Sequence, residues 1–160
     1  MTTSFPAPPA PEGITAGPDG SLWIPLQLGV ITRLTTSGSR TDFPLPNNNA
    51  LPSGITSGPD GNLWFTEYVG NKIARITTAG VITEYAVPTS GSYPFGITTG
   101  PDGNLWFTEI GSRIGRLNPN ALPAPVPLPA SILFTVLGVM LAALFSFFSA
   151  RRAASKVRQA

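Results

Sequence analysis

Residues 54–67 read GITSGPDGNLWFTE, and closely similar stretches occupy 13–26 and 96–109. The three copies begin 41 and 42 residues apart. Self-similarity at a fixed period of this length indicates stacked supersecondary units, and about 42 residues fit one four-stranded propeller blade. The repeat therefore predicts an all-β fold, a partial β-propeller of about three four-stranded antiparallel blades.

Each copy carries the turn signature Gly-Pro-Asp-Gly. Proline presets φ for the first turn position, aspartate tolerates the second, and glycine accepts the positive φ that reverses the chain. Because turn chemistry already explains these aspartates, we assign no metal to Asp60 or Asp102. The signature residues are Gly17, Pro18, Asp19, Gly20, Gly58, Pro59, Asp60, Gly61, Gly100, Pro101, Asp102 and Gly103.

Short turns and alternating side chains in the middle copy predict a meander of four strands. A lone meander cannot bury both faces, so it needs neighbours stacked against it. We interpret the repeated tryptophans as sheet-to-sheet core rather than as a platform for a ligand. These are Trp23, Trp64 and Trp106, and the arginines that follow them, Arg33, Arg75 and Arg116, are interpreted as solvated or carboxylate-paired.

The copies predict blades at 13–46, 54–88 and 96–118, within a propeller part that covers 1–119. In the first blade Pro25 stands where the other copies have threonine. Proline cannot donate to a central ladder, so we expect the second strand there to bulge or end early.

The third blade lacks a fourth strand in the sequence pattern. Residues 2–6 resemble the end of a fourth strand, as at 41–44, and we expect them to supply it. Three blades still leave an open arc, since propellers typically have four to eight. Two explanations stay open: a homodimer completes a ring of about six blades, or the chain is a shortened copy of a longer gene.

Charge and composition exclude several classes of protein. Residues up to 129 carry six basic and eight acidic side chains, whereas the last ten residues carry four basic ones. The repeats therefore have no basic face for nucleic acid.

The chain has no Cys, which excludes disulfides and thiolate metal sites, and it has no His.

The repeated consensus GITxGPDGNLWFTE, followed by NKIARITTxGxITEY, resembles the repeats of the virginiamycin B lyase (streptogramin B lyase) family over residues 11–118. The resemblance implies a seven-bladed propeller and an enzyme that opens a cyclic depsipeptide by β-elimination, using His, Glu and Mg²⁺. That reaction needs a base near neutral pKa, usually His. We therefore expect this chain to share the fold of the family, and we assign it no catalytic residue. Glu67 and Glu109 recur at the same repeat position, so we interpret them as structural residues of the blade.

The composition changes after Asn120. Residues 120–130 form a Pro-rich linker, which favours an extended spacer. Within 131–150, an uncharged run of 19 residues from Ile132 predicts a transmembrane helix about 28 Å long. Arg151 and Arg152 follow this run and mark its end. By the positive-inside rule, residues 151–160 are predicted to be a basic cytoplasmic tail and the repeats to be extracytoplasmic.

The sequence just before this run resembles the VPLPA variant of the PEP-CTERM sorting signals of Gram-negative bacteria. The resemblance implies processing by an exosortase-type enzyme and delivery to the cell surface. The motif consists of Val126, Pro127, Leu128, Pro129 and Ala130.

Residues 1–12 show neither the basic nor the apolar region of a signal peptide, although export requires one. One hypothesis is that the chain begins inside a longer gene.

Taken together, the sequence favours a surface-directed, membrane-anchored or sorted propeller module with a binding or scaffolding role. We expect it to have no catalysis of its own and no cofactor. Two alternatives remain. One is a lyase-like enzyme that acts on a cyclic ester with Mg²⁺ and has its catalytic part outside this chain; the other is a non-functional gene fragment.

Overall fold

A computed structural model of the protein describes residues 10–121. The predicted strand at 2–6, the linker beyond 121, the sorting motif, the transmembrane helix and the basic tail lie outside these residues. Within the described part, no helix is long and apolar enough to cross a membrane.

Eleven strands follow one another in residues 10–121. They are β1 (Thr15–Ala16), β2 (Leu22–Leu26), β3 (Val30–Leu34), β4 (Arg40–Pro44), β5 (Pro52–Ser57), β6 (Leu63–Glu67), β7 (Lys72–Ile76), β8 (Ile82–Ala86), β9 (Ile97–Thr99), β10 (Leu105–Glu109) and β11 (Arg113–Leu117). They form three antiparallel sheets, ordered β1-β2-β3-β4, β5-β6-β7-β8 and β9-β10-β11. The prediction of an all-β fold built from blade-like meanders is confirmed.

The Gly-Pro-Asp-Gly turns join the first and second strands of each sheet. In the middle blade the Gly61 amide donates to the Gly58 carbonyl, and Gly61 has a φ of 73°. A side chain in this left-handed region is strained, so glycine fits the position. The first and third blades repeat the bond and the positive φ at Gly20 and Gly103.

Two apolar cores lie between consecutive sheets. The first core joins Trp23 and Ile31 of the first blade to Leu63 and Phe65 of the second. The second core joins Trp64 and its neighbours on the second blade to Leu105 and others on the third. The middle blade is therefore enclosed on both faces, and all five residues of β6 are buried.

The prediction for Pro25 was wrong. Strand β2 continues through Pro25 to Leu26, and its pairing with β3 shows no shift in register. The Pro25 carbonyl accepts a bond from the Glu12 amide, so this residue turns its backbone groups toward the β1 side of the sheet. The missing amide of Pro25 therefore removes no hydrogen bond between β2 and β3. It faces β1 instead, and β1 is short, with only two residues.

Trp106 departs from the prediction of three equivalent core tryptophans. Trp23 and Trp64 have no exposed surface. Trp106 is only half-buried, because the described residues include no sheet packed on the far side of the third blade.

Candidate functional site

The signature aspartate of each blade binds the blade's tryptophan. The indole Nε1 of Trp64 donates to Asp60 Oδ1 at 2.9 Å, and the Asn62 amide donates to the same oxygen at 3.2 Å. Burial of Asp60 opposes ionisation, but these bonds favour the charged form, so its pKa lies below the ordinary value. The corresponding indole bonds, Trp23 to Asp19 and Trp106 to Asp102, are each 3.0 Å.

The repeated arginine completes this unit. Arg75 lies over the Trp64 ring, with 5.9 Å from Cζ to the ring centroid, and its Nη1 is 3.8 Å from Asp60 Oδ2. Arg33 repeats both contacts in the first blade, and Arg116 lies 5.8 Å from the Trp106 ring. These contacts assign the signature aspartates and tryptophans to the framework of each blade.

Glu67, at the end of β6, is a buried carboxylate of a different kind. It has no exposed surface, and its carboxyl group lies against that of Glu84. Burial, followed by the charge of Glu84, raises the pKa of Glu67 to about 8, and the positive charge of Lys72 opposes the rise. Lys72 itself pairs with Glu84.

An apolar groove lies where the second strands end and the first strands begin. Its volume is about 490 Å³. It is lined by Gln27, Leu51, Ser53, Tyr68, Phe95, Thr108, Glu109 and Ile110, so all three blades contribute.

Tyr68 and Phe95 supply aromatic surface to the groove, and Tyr93 contacts Tyr68 from outside the lining. The Tyr68 ring lies 5.2 Å from the ring of Tyr93 and 6.2 Å, edge to face, from that of Phe95. Phe95 is 52% exposed and Tyr93 is 41% exposed. Exposed aromatic rings held in mutual contact offer a ready surface for a flat or apolar ligand.

Asn71 holds the loop that carries Tyr93 and leads to Phe95. Its Oδ1 accepts bonds from the Ser92 amide at 2.8 Å, the Ser92 hydroxyl at 3.0 Å and the Tyr93 amide at 3.3 Å. Its Nδ2 donates to the carbonyls of Val87 and Thr89. Asn71 adopts a φ of 53°, a left-handed conformation that Asn tolerates better than most residues.

The polar groups of the groove are few. Glu109 Oε2 lies 3.8 Å from Arg113 Nε, and Gln27 donates to Glu12 at the rim. Among residues 10–121, no group of three or more carboxylate or imidazole side chains is arranged to hold a metal ion.

The sequence prediction missed this groove, although a signal for it is present. The position before each Gly-Ile-Thr differs in every copy, being Glu12, Ser53 and Phe95. The position after each second strand differs too, being Gln27, Tyr68 and Ile110. Five of these six residues line the groove. Most of the groove therefore consists of positions at which the copies differ, and Thr108 and Glu109 are the repeated residues in it.

Comparisons with known proteins agree with this architecture. The profile of the virginiamycin B lyase family matches residues 1–135, whereas a comparison with curated protein sequences finds no match. A crystal structure of virginiamycin B lyase from Staphylococcus aureus is 43% identical, with a TM-score of 0.70 over 79% of this chain and 44% of that one. A streptogramin B lyase structure is 45% identical, with a TM-score of 0.67 over 74% of this chain and 41% of that one.

The same Staphylococcus aureus lyase is also known as a catalytically inactive variant with quinupristin. This chain spans less than half the length of these lyases. The family profile nevertheless covers most of the chain, and the described blades resemble those lyases in structure, so this protein belongs to the virginiamycin B lyase family.

Proposed function

We propose that this chain is a propeller module that binds a ligand in the groove and carries out no catalysis of its own. The observation that carries the proposal is the distribution of differences between the copies. Turn, tryptophan and arginine recur in all three blades, whereas five of the eight residues that line the groove, namely Gln27, Ser53, Tyr68, Phe95 and Ile110, stand at positions that differ from blade to blade. A framework that repeats around a surface that varies is the arrangement expected of a binding site.

The groove selects for an apolar ligand with a ring. Tyr68, Phe95 and Ile110 supply apolar contact, and Glu109 supplies one carboxylate. Quinupristin, seen with an inactive variant of a related lyase, is a reasonable probe of this ligand class.

The groove is poorly equipped for acid–base chemistry. The chain has no His. Glu67, whose pKa is raised to about 8, is enclosed and does not line the groove. A general base must reach the proton that it removes, so we propose no catalytic residue and no cofactor.

The alternative is a lyase-like enzyme whose catalytic residues and Mg²⁺ site lie outside this chain. One observation favours it: the chain spans less than half the length of the related lyases.

Incubation of the full chain with quinupristin and Mg²⁺ tests the proposal that this chain binds a ligand without catalysis. We expect binding in equilibrium dialysis and no ring-opened product in liquid chromatography. F95A should weaken binding by about fivefold, since an aromatic contact contributes about 1 kcal/mol. V81A, at an exposed position outside the groove, should not change it. Ring opening would overturn the proposal by showing that this chain itself contains catalytic residues. A chain that binds no quinupristin would contradict this ligand class.

The C-terminal segment supports a second part of the proposal, namely that the module is anchored in a bacterial membrane and sorted to the surface. The uncharged run from Ile132 and the arginines after it favour repeats outside and a cytoplasmic C-terminus. A green fluorescent protein fused to Ala160 should fluoresce in the membrane fraction, and alkaline phosphatase fused there should be inactive. Active phosphatase would show that the C-terminus lies outside the cytoplasm and would contradict the proposed orientation.

A further inference from the structure

Glu67 lies directly beneath the turn of residues 68–71, which leads from β6 to β7. Its carboxyl group touches the backbone of this turn, because a Cβ added at Gly70 would lie 2.6 Å from Glu67 Oε2. Glu67 also pairs with Pro52 across the sheet, and it has no exposed surface. The carboxyl group is therefore enclosed, with the 68–71 turn packed on it.

The 68–71 turn supports the wall of the groove. The Tyr68 amide donates to the Leu51 carbonyl at 3.0 Å, and both residues line the groove. The amides of Val69 and Gly70 donate to the Ala50 carbonyl at 3.0 and 3.2 Å. A displacement of this turn therefore breaks bonds that hold Tyr68 and Leu51 in place.

The same turn ends at Asn71, which holds the neighbouring loop. Asn71 Oδ1 accepts bonds from the amides of Ser92 and Tyr93, and this loop leads to Phe95 of the groove. Both aromatic residues of the lining, Tyr68 and Phe95, thus depend on the position of one turn. That turn rests on a single titratable group.

Two charged groups face Glu67 and act on it in opposite directions. Glu84 of β8 lies against its carboxyl group, and Lys72 of β7 pairs with Glu84. Burial, together with the charge of Glu84, keeps the proton on Glu67 up to a pKa of about 8. The 68–71 turn, β5 and the neighbouring loop carry no charged side chain, and their titratable residues are Tyr68 and Tyr93.

We propose that the groove is gated by pH: a proton on Glu67 keeps the 68–71 turn in place and the groove able to bind, and loss of that proton displaces the turn. This inference rests on the proposed function and supplies the regulation of the same site.

The turn is the part of the structure that can yield. Ionised Glu67 places a second negative charge beside Glu84 in an enclosed site, where a charge without a new partner is costly. All five residues of β6 are buried, so the strand itself cannot move toward water. The turn lies at the surface, with Val69 50% exposed, and its displacement admits water to the carboxylate. By reciprocity, a ligand that holds the turn in place favours the protonated form of Glu67.

Equilibrium dialysis of the full chain with quinupristin at pH 7 and pH 9 tests the gate. We express the wild-type affinity relative to that of E67Q at the same pH, so that ionisation of the ligand or of the groove tyrosines cancels. This ratio should fall by up to about tenfold, the limit for one group with a pKa of about 8. D42N makes the same change of charge at an exposed pair outside the groove and should keep the wild-type decline.

E84Q tests the electrostatic cause. Without the charge of Glu84, ionised Glu67 is repelled less and gains Lys72 as a partner, so the decline in affinity should occur at lower pH. A purely structural role of Glu84 would weaken binding at every pH and leave the pH of the decline unchanged. That result would overturn the proposed cause.

Amide hydrogen exchange of the 68–71 turn provides a readout without a ligand. At pH 9 the amides of Tyr68, Val69 and Gly70 should exchange faster in the wild-type chain than in E67Q, and at pH 7 the rates should agree. Equal rates at pH 9 in a folded E67Q would overturn the gate, as would a constant affinity ratio, and either result leaves ligand binding itself intact. A chain that binds no quinupristin at either pH would instead contradict the proposed function, and the gate with it.

Discussion

Trp64 and Asp60 form a hydrogen-bonded pair with no water between them: the indole Nε1 lies 2.9 Å from Oδ1, and the tryptophan has no exposed surface. A buried indole N–H without an acceptor loses its hydration and gains nothing in return. The aspartate of the repeated turn thus has two roles. It shapes the turn, and it satisfies the donor of the largest side chain in the core.

D60A should therefore lower the free energy of unfolding by about 1 to 3 kcal/mol, because it leaves the Trp64 donor unpaired. D60N keeps an oxygen acceptor at the same place and should cost less. Urea unfolding followed by tryptophan fluorescence measures both, since all three tryptophans lie in the blades. Equal losses for the two variants would mean that the turn, and not the indole bond, determines the effect.

The stability of the protein should fall as the pH rises from about 5 to 8. Burial raises the pKa of Glu67 from 4.5 to about 8. Between these values the unfolded chain releases a proton that the folded chain retains, so unfolding becomes easier with rising pH. We expect a decline of at least about 1 kcal/mol in urea unfolding over this range.

E67Q should remove this decline, because a glutamine does not titrate. E109Q changes the same repeat position in the third blade and should leave the decline in place, since Glu67 is still present. A slope that persists in E67Q would assign the pH dependence to other groups.

T66V should weaken the contact between the second and third blades. The Thr66 hydroxyl donates to the Phe95 carbonyl at 2.6 Å and accepts from the Gly54 amide at 2.9 Å. Valine keeps the shape and loses both bonds, so we expect about 1 to 3 kcal/mol less stability in urea unfolding. T108V loses only a bond from Gly96 within its own blade and should cost less. A larger loss for T108V would contradict the assignment of Thr66 to the blade contact.

N71A should impair the groove as well as stability. It removes every bond that the Asn71 side chain makes to the loop carrying Tyr93. We expect a loss of about 2 kcal/mol in urea unfolding and weaker binding of quinupristin in equilibrium dialysis. S112A is the matched control, because Ser112 holds the same repeat position with a φ of 64°. Unchanged binding in a folded N71A would separate this loop from the ligand site.

Much of the fold could be predicted from the sequence, because the features that determine it are local and repeated. The Gly-Pro-Asp-Gly turn and the alternation of side chains each act within a few residues. Trp106 was predicted less well, since its burial depends on a neighbour that lies outside its own blade. The same tryptophan position is therefore fully buried in the first two described blades and only half-buried in the third.

The groove and its supports could not be predicted, because they depend on orientation. The direction of the Pro25 backbone decides which strand is shortened, and composition does not encode it. Asn71 looks like an ordinary turn residue, yet its amide organises a loop up to 22 residues away. Such contacts join segments that are far apart in the sequence and come close together only once the sheets have formed.

The tryptophan and aspartate of each bond lie only four residues apart in the chain. The turn and its largest core side chain are therefore matched inside a single repeat, independently of the blades on either side. A duplication or deletion of one whole repeat in the gene leaves every remaining pair intact. This self-sufficiency offers a physical reason why blade number can drift during evolution while the repeat itself stays recognisable.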